Sequence, residues 1–558
     1  MNLFPKIDAG PPSLMPGTIV IKLTYGAISK VYQSWPAAAA TASATMPAAP
    51  AAGINAGGVA TQTQANINIG LGELSTGQTN AEQSTVIAPT LAEFVPLMDM
   101  LGFNFSSSQG PQIDALGIRP AKAMPLNSIG WAKAATLVTL PGRWPKIFAP
   151  TPKAPELNAN CIPFRQLMFL LSRIVVSNLD ETQVPAVIAF LKSLPYIEYA
   201  ERVPARYVVV ETPKFLPPPP PAPGTIVLDG VPPTTDTQDP DQAVLPAPPE
   251  FILSWPQKMI RWSADAKSAA PAIAMLDTQV DNVGDAGLRA SVIYPTVHKG
   301  IYGHWYPVAM TKAADHGTHI AGVIAGKDLG MFTNAKVVAY AVTDITQVSA
   351  ASGSMYYPVL PALYSDAIQS IIQYDKTVRV VNASLGGPLP LSQYEEEDLQ
   401  ALSAADIQLV ASAGNHFEAI DTAEVLYPAA NPLALSVGAA GFNTDGYAAM
   451  TTFSNYTPND FQVNLTGPGW HIYSTLANVQ GRVKYGTLAH GLMRGTSQAA
   501  AYVSCALAYA VERNSKVDIN DIGRRMVDTA TGVDVDEMRG LGFVDCMFIE
   551  GKDSRASG

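Results

Sequence analysis

The sequence predicts an α/β protein: a doubly wound, mostly parallel sheet with helices on both faces, preceded by a small α+β domain. Three observations predict it. From about residue 251, short apolar runs alternate with segments of helical spacing, the order that builds a parallel sheet through crossover helices. Ahead of them, residues 212–250 are crowded with prolines, PPPPPAPG among them, and read as an extended, semi-rigid linker. Residues 1–211 carry a separate mixture of strand and helix patterns. The expected organisation is therefore a domain over 1–211, a linker over 212–250, a larger domain over 251–550 and a tail over 551–558.

Composition fits this division. At 558 residues the chain exceeds one ordinary domain, and its 47% hydrophobic content is ample for large cores. A net charge of −11, without a basic run, excludes nucleic acid as an expected partner. No apolar run approaches the roughly 18 residues of a membrane span, so no membrane partner is expected. The opening MNLFPKIDAGPP lacks a basic segment followed by an apolar one. On these grounds a cytoplasmic protein is expected, with secretion by another route left open. Cys161, Cys505 and Cys546 are odd in number and far apart, which suits neither a disulfide framework nor a zinc site.

In the first domain, TIVIKLT at 18–24, bounded by Pro16-Gly17, reads as a strand. A low-complexity insert of Ala, Thr, Asn, Gln and Gly occupies about 35–89. Helical spacing returns at 90–102. An apolar stretch at 165–176 suits a strand, and 181–193 a helix with Val187, Phe190 and Leu191 inward. YIEYAE at 197–202 and RYVVVE at 206–211 complete a strand–helix–strand–helix–strand unit.

In the second domain, strands are expected at 272–276, 335–342, 378–385, 407–414 and 434–440, and helices at 316–326, 365–374 and 395–404. Gly322 and Gly326 give the first helix a face suited to close packing. The acids EEED suit the first turn of the last. In parallel sheets functional groups gather at the carboxyl ends of strands. Asp277, Asn382, Ser384 and Asn415 all fall there.

One stretch organises the chemistry. Gly495-Thr496-Ser497 opens an apolar run to Ala510, a buried helix with a serine in its first turn. Free N–H groups and the helix dipole at such a turn can receive a developing oxyanion. Alone, Ser497 would be an ordinary N-cap. A nucleophilic serine also needs a base, an acid to orient it and oxyanion donors. Asp277 closes a buried strand, with Asp281 as a weaker rival and a turn cap as the plain alternative. His316 lies in a Gly-flanked helix start, with His319 one turn on and expected to point inward. His-x-x-His could hold a metal, but a carboxylate or cysteine partner is missing from the pattern. Asn415 could donate to an oxyanion or merely turn the chain after Gly414.

Together these segments resemble a known family. DTQVD, DHGTHIAG, VVNASLGG, ASAGN and GTSQAAA, in this order, are similar to the signature blocks of the subtilisin-like serine peptidases, over about 251–548. FSNY at 453–456, LTGPGWHIYST at 465–475 and GLGFVD at 540–545 extend the likeness. The resemblance implies a subtilisin-like fold and a serine endopeptidase. Ser497 would be nucleophile, His316 general base and acid, and Asp277 its orienting carboxylate. Asn415 and the Ser497 N–H would form the oxyanion hole. Ser384, Leu385 and Gly386 would pair with an extended substrate. Ala411, Ser412, Ala413 and Gly414 would form the opposite wall of the primary pocket, with Leu426 as its floor and His416 at its rim. Leu426, where the family often has glycine, implies a shallow pocket for small residues. Ala501 and Cys505 also depart from the family's proline and glycine; Cys505 implies looser local packing.

Residues 173–203 resemble the second half of a subtilase propeptide, an unrelated binding domain being the alternative. The partners implied are a protein or peptide substrate and the chain's own N-terminal domain as inhibitor. Self-processing would fall within 204–255. No cofactor is required for the chemistry; structural calcium is implied by the resemblance alone, with no assignable loop. Two rival functions share these features: a latent or scaffolding protein covered by its N-terminal domain, and a peptide-maturing transpeptidase or cyclase.

Overall fold

The structure is a computed structural model. It describes residues 12–23, short stretches at 105–111, 137–140, 173–176 and 214–215, most of 181–210, and most of 249–293, 313–343, 355–415, 424–477 and 489–546. The insert at 35–89, the helix expected at 90–102, most of the linker, His416 and the tail lie outside the described residues.

The small unit is a four-stranded antiparallel sheet. It contains β1 (Leu14–Leu23), β2 (Leu137–Leu140), β3 (Arg173–Val176), helix α1 (Val184–Lys192) and β4 (Ile197–Pro204). The strand order is β2-β3-β1-β4. β1 is buried on both faces: Ile19 and Ile21 lie on one, Val20 on the other, and α1, with Val184, Val187 and Leu191 buried, packs against β1 and β4. Gly17, at φ +58°, takes up the bulge where β1 slips register against β4. Of the stretch 165–176, only 173–176 is described as strand.

The expected last strand of this unit leaves it. β5 (Tyr207–Val210) and β6 (Lys214–Phe215) pair instead with strands of the larger unit. A short apolar run marks a strand but not the edge it joins, and Tyr207–Val210 joins the edge of Met355–Pro358, a strand of the larger unit.

The larger unit begins with α2 (Pro249–Met259) and β7 (Ala272–Asp277). It continues through β8 (Val292–Ile293), α3 (Ala314–Ala325), β9 (Lys336–Ala341), β10 (Met355–Pro358), α4 (Pro361–Tyr374), β11 (Val380–Ala383), α5 (Gln393–Ala404) and β12 (Gln408–Ser412). It closes with β13 (Ala434–Phe442), β14 (Ala448–Met450), β15 (Leu465–Pro468), β16 (Ile472–Leu476), β17 (Ala489–Met493), α6 (Thr496–Arg513) and α7 (Ile519–Asp528). The sheet order is β8-β9-β7-β11-β12-β13-β14, with β15 also on β13. Among the described pairings only β13–β14 is antiparallel in this sheet.

Side-chain alternation along β7 builds two cores. Ile273 and Met275 join α3 and α6 on one face. Ala274 and Leu276 join α4 and α5 on the other. This is the doubly wound fold that the strand–helix alternation predicts. Every residue of α6 from Thr496 to Val511 is buried. Cys505 is fully enclosed with Cys546 nearby, neither in a disulfide, and burial raises the Cys505 pKa well above its ordinary value. The looser packing expected at Cys505 therefore admits no solvent. Gly322 allows close approach as expected, since a Cβ there would lie 2.3 Å from Ser474 Oγ. Gly326 instead caps α3, its N–H donating to the Gly322 carbonyl.

The chain order reverses about β7, which has β9 on one side and β11 on the other. Such a switch point opens a crevice at the carboxyl ends of the strands. Asp277 ends β7 there, and Ser384 follows β11.

The small unit docks beside this crevice, on α5. Val20, Tyr199 and Val203 pack on Tyr394. Lys22 Nζ bridges Glu198 at 2.9 Å and Glu397 at 2.7 Å. Glu201 accepts from the Tyr394 N–H at 3.4 Å. Burial, opposed by backbone hydrogen bonds but reinforced by Glu395 and Glu397, raises the Glu201 pKa from 4.5 to about 7. Protonated Glu201 therefore suits the docked state. Its contribution is fully present below about 4.5 and is lost as pH rises through about 7. In the full-length Ser497→Ala chain, Glu201→Gln should flatten the fall of Tm between pH 5 and 8. Parallel curves for the two chains would refute this.

Candidate active site

Three segments converge on the crevice, and each is fixed locally. Asp277 is fully buried at the end of β7, and its Oδ1 accepts from the Thr278 N–H at 2.6 Å and from His316 Nδ1 at 2.7 Å. A carboxylate so buried requires such partners. Thr278 ties this strand end to α3. Its hydroxyl donates to the Ala313 carbonyl at 2.7 Å and accepts from the Gly317 N–H at 2.9 Å. Gly317 must be glycine, because a Cβ would sit 2.6 Å from the Gln279 carbonyl oxygen. His316 thus stands in the first turn of α3, with Nδ1 committed to Asp277.

The rival candidates face elsewhere. Asp281 supports its own turn, Oδ1 accepting from Val283 N–H at 2.9 Å. His319 points into the core and donates from Nε2 to the Ile472 carbonyl at 3.0 Å. Burial lowers its pKa to about 3, so it is neutral.

Ser497 occupies the first turn of α6. Its main-chain N–H has no acceptor in the helix. The preceding Gly495, at φ +149°, allows the tight entry. A Cβ there would lie 2.8 Å from Asn415 Nδ2. Asn415 Oδ1 accepts from the Thr496 N–H at 2.8 Å and from Thr496 Oγ1 at 2.9 Å. A main-chain N–H can only donate, so the atom facing it is the oxygen, which leaves Nδ2 out of these bonds. Thr496 Oγ1 in turn accepts from the Gly414 N–H at 3.0 Å. Among the described residues no hydrogen bond joins His316 to the Ser497 hydroxyl. Contacts of this kind often close only around substrate.

The cleft walls are stitched to this centre. Ser384 Oγ donates to the Ser497 carbonyl at 3.1 Å, and Asn382 and Ser504 continue the buried chain at 3.0 and 3.1 Å. The opposite wall is Ala411 to Gly414, continuous with β12. Leu426 lies between the walls. Its N–H donates to the Ala413 carbonyl at 2.9 Å, while Tyr427 exchanges two bonds with Gly387. Leu426 side-chain atoms stand 3.0 Å from where a Gly386 Cβ would be and 2.8 Å from a Gly414 Cβ. Leu385 is buried in the sheet core.

The chain's own strand fills the space beside Gly386. Tyr207 N–H donates to the Gly386 carbonyl at 2.9 Å, and Gly386 N–H to the Tyr207 carbonyl at 3.0 Å. On its other edge β5 pairs antiparallel with β10, Tyr207 to Val210 facing Pro358 to Met355. β6 then pairs with β17, which leads into Ser497. Sequence reasoning left this strand in the wrong sheet and passed over Arg206, Glu395, Thr496 and Ser504. The capping-box spacing of Ser392 and Glu395 was the available signal for Glu395. Among the described residues, no group of three or more His, Cys, Asp or Glu side chains could hold a metal ion. No described helix is long and apolar enough to cross a membrane.

A parallel α/β sheet carrying an Asp–His pair and a helix-start serine at its switch point defines the class. Comparison with known proteins then places the chain. Residues 268–543 match the model of the subtilase family, Peptidase_S8, and the chain carries a subtilase-family domain. It is 26% identical over 287 residues to the alkaline protease of Alkalihalobacillus alcalophilus, covering 49% of this chain and 62% of that one. It is 30% identical over 201 residues to the major intracellular serine protease of Bacillus subtilis (strain 168), covering 36% and 56%. The chain thus spans 62% and 56% of these two relatives' lengths. Fervidolysin from Fervidobacterium pennivorans, described as a keratinolytic enzyme related to subtilisin, aligns at TM-score 0.48 and 20% identity, covering 68% and 56%.

Proposed function

We propose that the chain is a serine endopeptidase made as a zymogen, whose own residues 206–210 and 214–215 lie along the substrate path. The observation that carries this reading is the two-bond pairing of Tyr207 with Gly386, beside the Asp277–His316–Ser497 centre. An added strand is how a peptidase cleft holds an extended peptide. In the reaction, Ser497 Oγ attacks the carbonyl carbon while His316 Nε2 takes its proton. Asp277 holds Nδ1–H and balances the imidazolium charge. Asn415 Nδ2 and the Ser497 N–H receive the oxyanion. The C–N bond then breaks, with His316 returning the proton to the amine, and water attacks the acyl-enzyme by the same path.

Register points to the bond. With Tyr207 opposite Gly386, antiparallel continuation would set Val209 opposite Ser384, whose hydroxyl donates to the Ser497 carbonyl. The Val209–Val210 peptide is the expected self-cleavage site. The test compares the intact mass of wild type and Ser497→Ala over time. Two fragments meeting after Val209, in wild type only, are expected. Wild type that stays whole and hydrolyses nothing would sink the reading in favour of a latent protein. Products lacking the added water would favour transfer to an amine.

The Leu426 floor supports a shallow primary pocket for small residues. In a peptide series varied at the acyl residue, Ala and Val should be cleaved faster than Phe. A tenfold advantage for Phe or Leu over Ala would reject this.

A further inference from the structure

We propose that the cleft contains an arginine-selective subsite, with Glu395 as its specificity-determining residue, three positions before the residue whose carbonyl is attacked. The inference deepens the reading above and rests on it: β5 must lie where substrate lies. Arg206 is the residue in that position when Val209 supplies the carbonyl.

The socket is complete. Arg206 Nε donates to Glu395 Oε1 at 2.9 Å and Nη2 to Oε2 at 3.1 Å, a forked pair. Nη1 reaches the Leu389 carbonyl at 2.7 Å and Nη2 the Pro390 carbonyl at 3.1 Å. The two side chains are only 4% and 3% exposed. The planar fork matches these acceptors, and a lysine ammonium could not meet all of them.

Every group that receives Arg206 belongs to the larger unit. Glu395 is positioned without Arg206: its Oε2 also accepts from Ser392 N–H at 2.9 Å and Ser392 Oγ at 2.8 Å, in a capping box at the start of α5. The socket would therefore persist when the N-terminal segment departs, and a carboxylate built for a guanidinium would face incoming peptide. The backbone beside it is shaped for a strand as well. A Cβ on Gly387 would lie 2.1 Å from the Ala205 carbonyl oxygen, and Val359 N–H donates to the Arg206 carbonyl at 2.8 Å. A salt bridge that only docked the small unit would not need main-chain pairing on both sides of the arginine.

The test uses the full chain after self-processing and two peptides. One has the sequence of residues 206–211, Arg-Tyr-Val-Val-Val-Glu, with blocked ends. The other has Ala in place of Arg. The expected result is a kcat/KM about 100-fold or more higher for the arginine peptide, because buried polar groups reject a ligand that leaves them unpaired. Glu395→Gln should reduce the ratio below about tenfold by slowing the arginine peptide alone. Peptides cleaved within threefold of each other by wild type would overturn the subsite while leaving the peptidase intact. Self-cleaved enzyme that cuts neither peptide would overturn it too. A wild-type chain without Ser497-dependent cleavage of itself or of either peptide would overturn the peptidase reading as well. The wild-type comparison decides the matter even if Glu395→Gln does not fold.

Discussion

Ser497→Ala is expected to slow peptide hydrolysis by about 10⁶-fold, the loss seen when a triad acting as a unit loses its nucleophile. The structure makes this a clean substitution. Among the described residues the Ser497 hydroxyl makes no hydrogen bond, and Ser384 holds the residue by its carbonyl. Asn415 stays fixed through Thr496, so the proposed oxyanion donors would stay in place. The variant should therefore melt at the wild-type temperature while losing turnover. A loss of less than 100-fold in kcat/KM would mean that another group attacks the substrate.

Asp277→Ala should cost about 3 × 10⁴-fold in kcat. It removes both the acceptor for His316 Nδ1 and the charge that offsets the imidazolium. Asp277→Asn separates these two effects. Both observed bonds converge on Oδ1, so an amide oxygen there could keep His316 and Thr278 in place. What asparagine loses is the charge. Its kcat should fall between wild type and alanine, with His316 still oriented. Activity of the alanine variant within tenfold of wild type would exclude Asp277 from the reaction.

The larger fold was legible because its signals are local. Strand and helix periods differ, and β7, β9, β11, β12 and β13 each emerge as one apolar run. Asp277, His316, Asn415 and Ser497 stood out because each sits in a distinctive small-residue context at a strand end or helix start. The route of residues 206–210 and 214–215 was not legible. RYVVVE has the short apolar run of any strand, and its partner β10 begins at Met355. The Arg206–Glu395 pair spans 189 residues. Each residue has an ordinary local reading, a charge flanking a strand and an acid in a helix first turn. Only the tertiary approach of α5 to the small unit turns them into one socket. Leu426 was marked by its contrast with the family's glycine, but its contact with both walls required coordinates.

The strand that covers the cleft also sets a concentration scale. In the uncut chain β5 meets Gly386 intramolecularly, at an effective concentration in the millimolar range or above for a short tether. An outside peptide must compete against that local concentration, whatever its intrinsic affinity. If the Val209–Val210 bond is cut as proposed, rebinding of the released end would become second order, aided by the docking of the small unit on α5. Dilution would then favour the uncovered cleft. The same molecule would stay closed in a concentrated compartment and open on leaving it, with no change in any side chain.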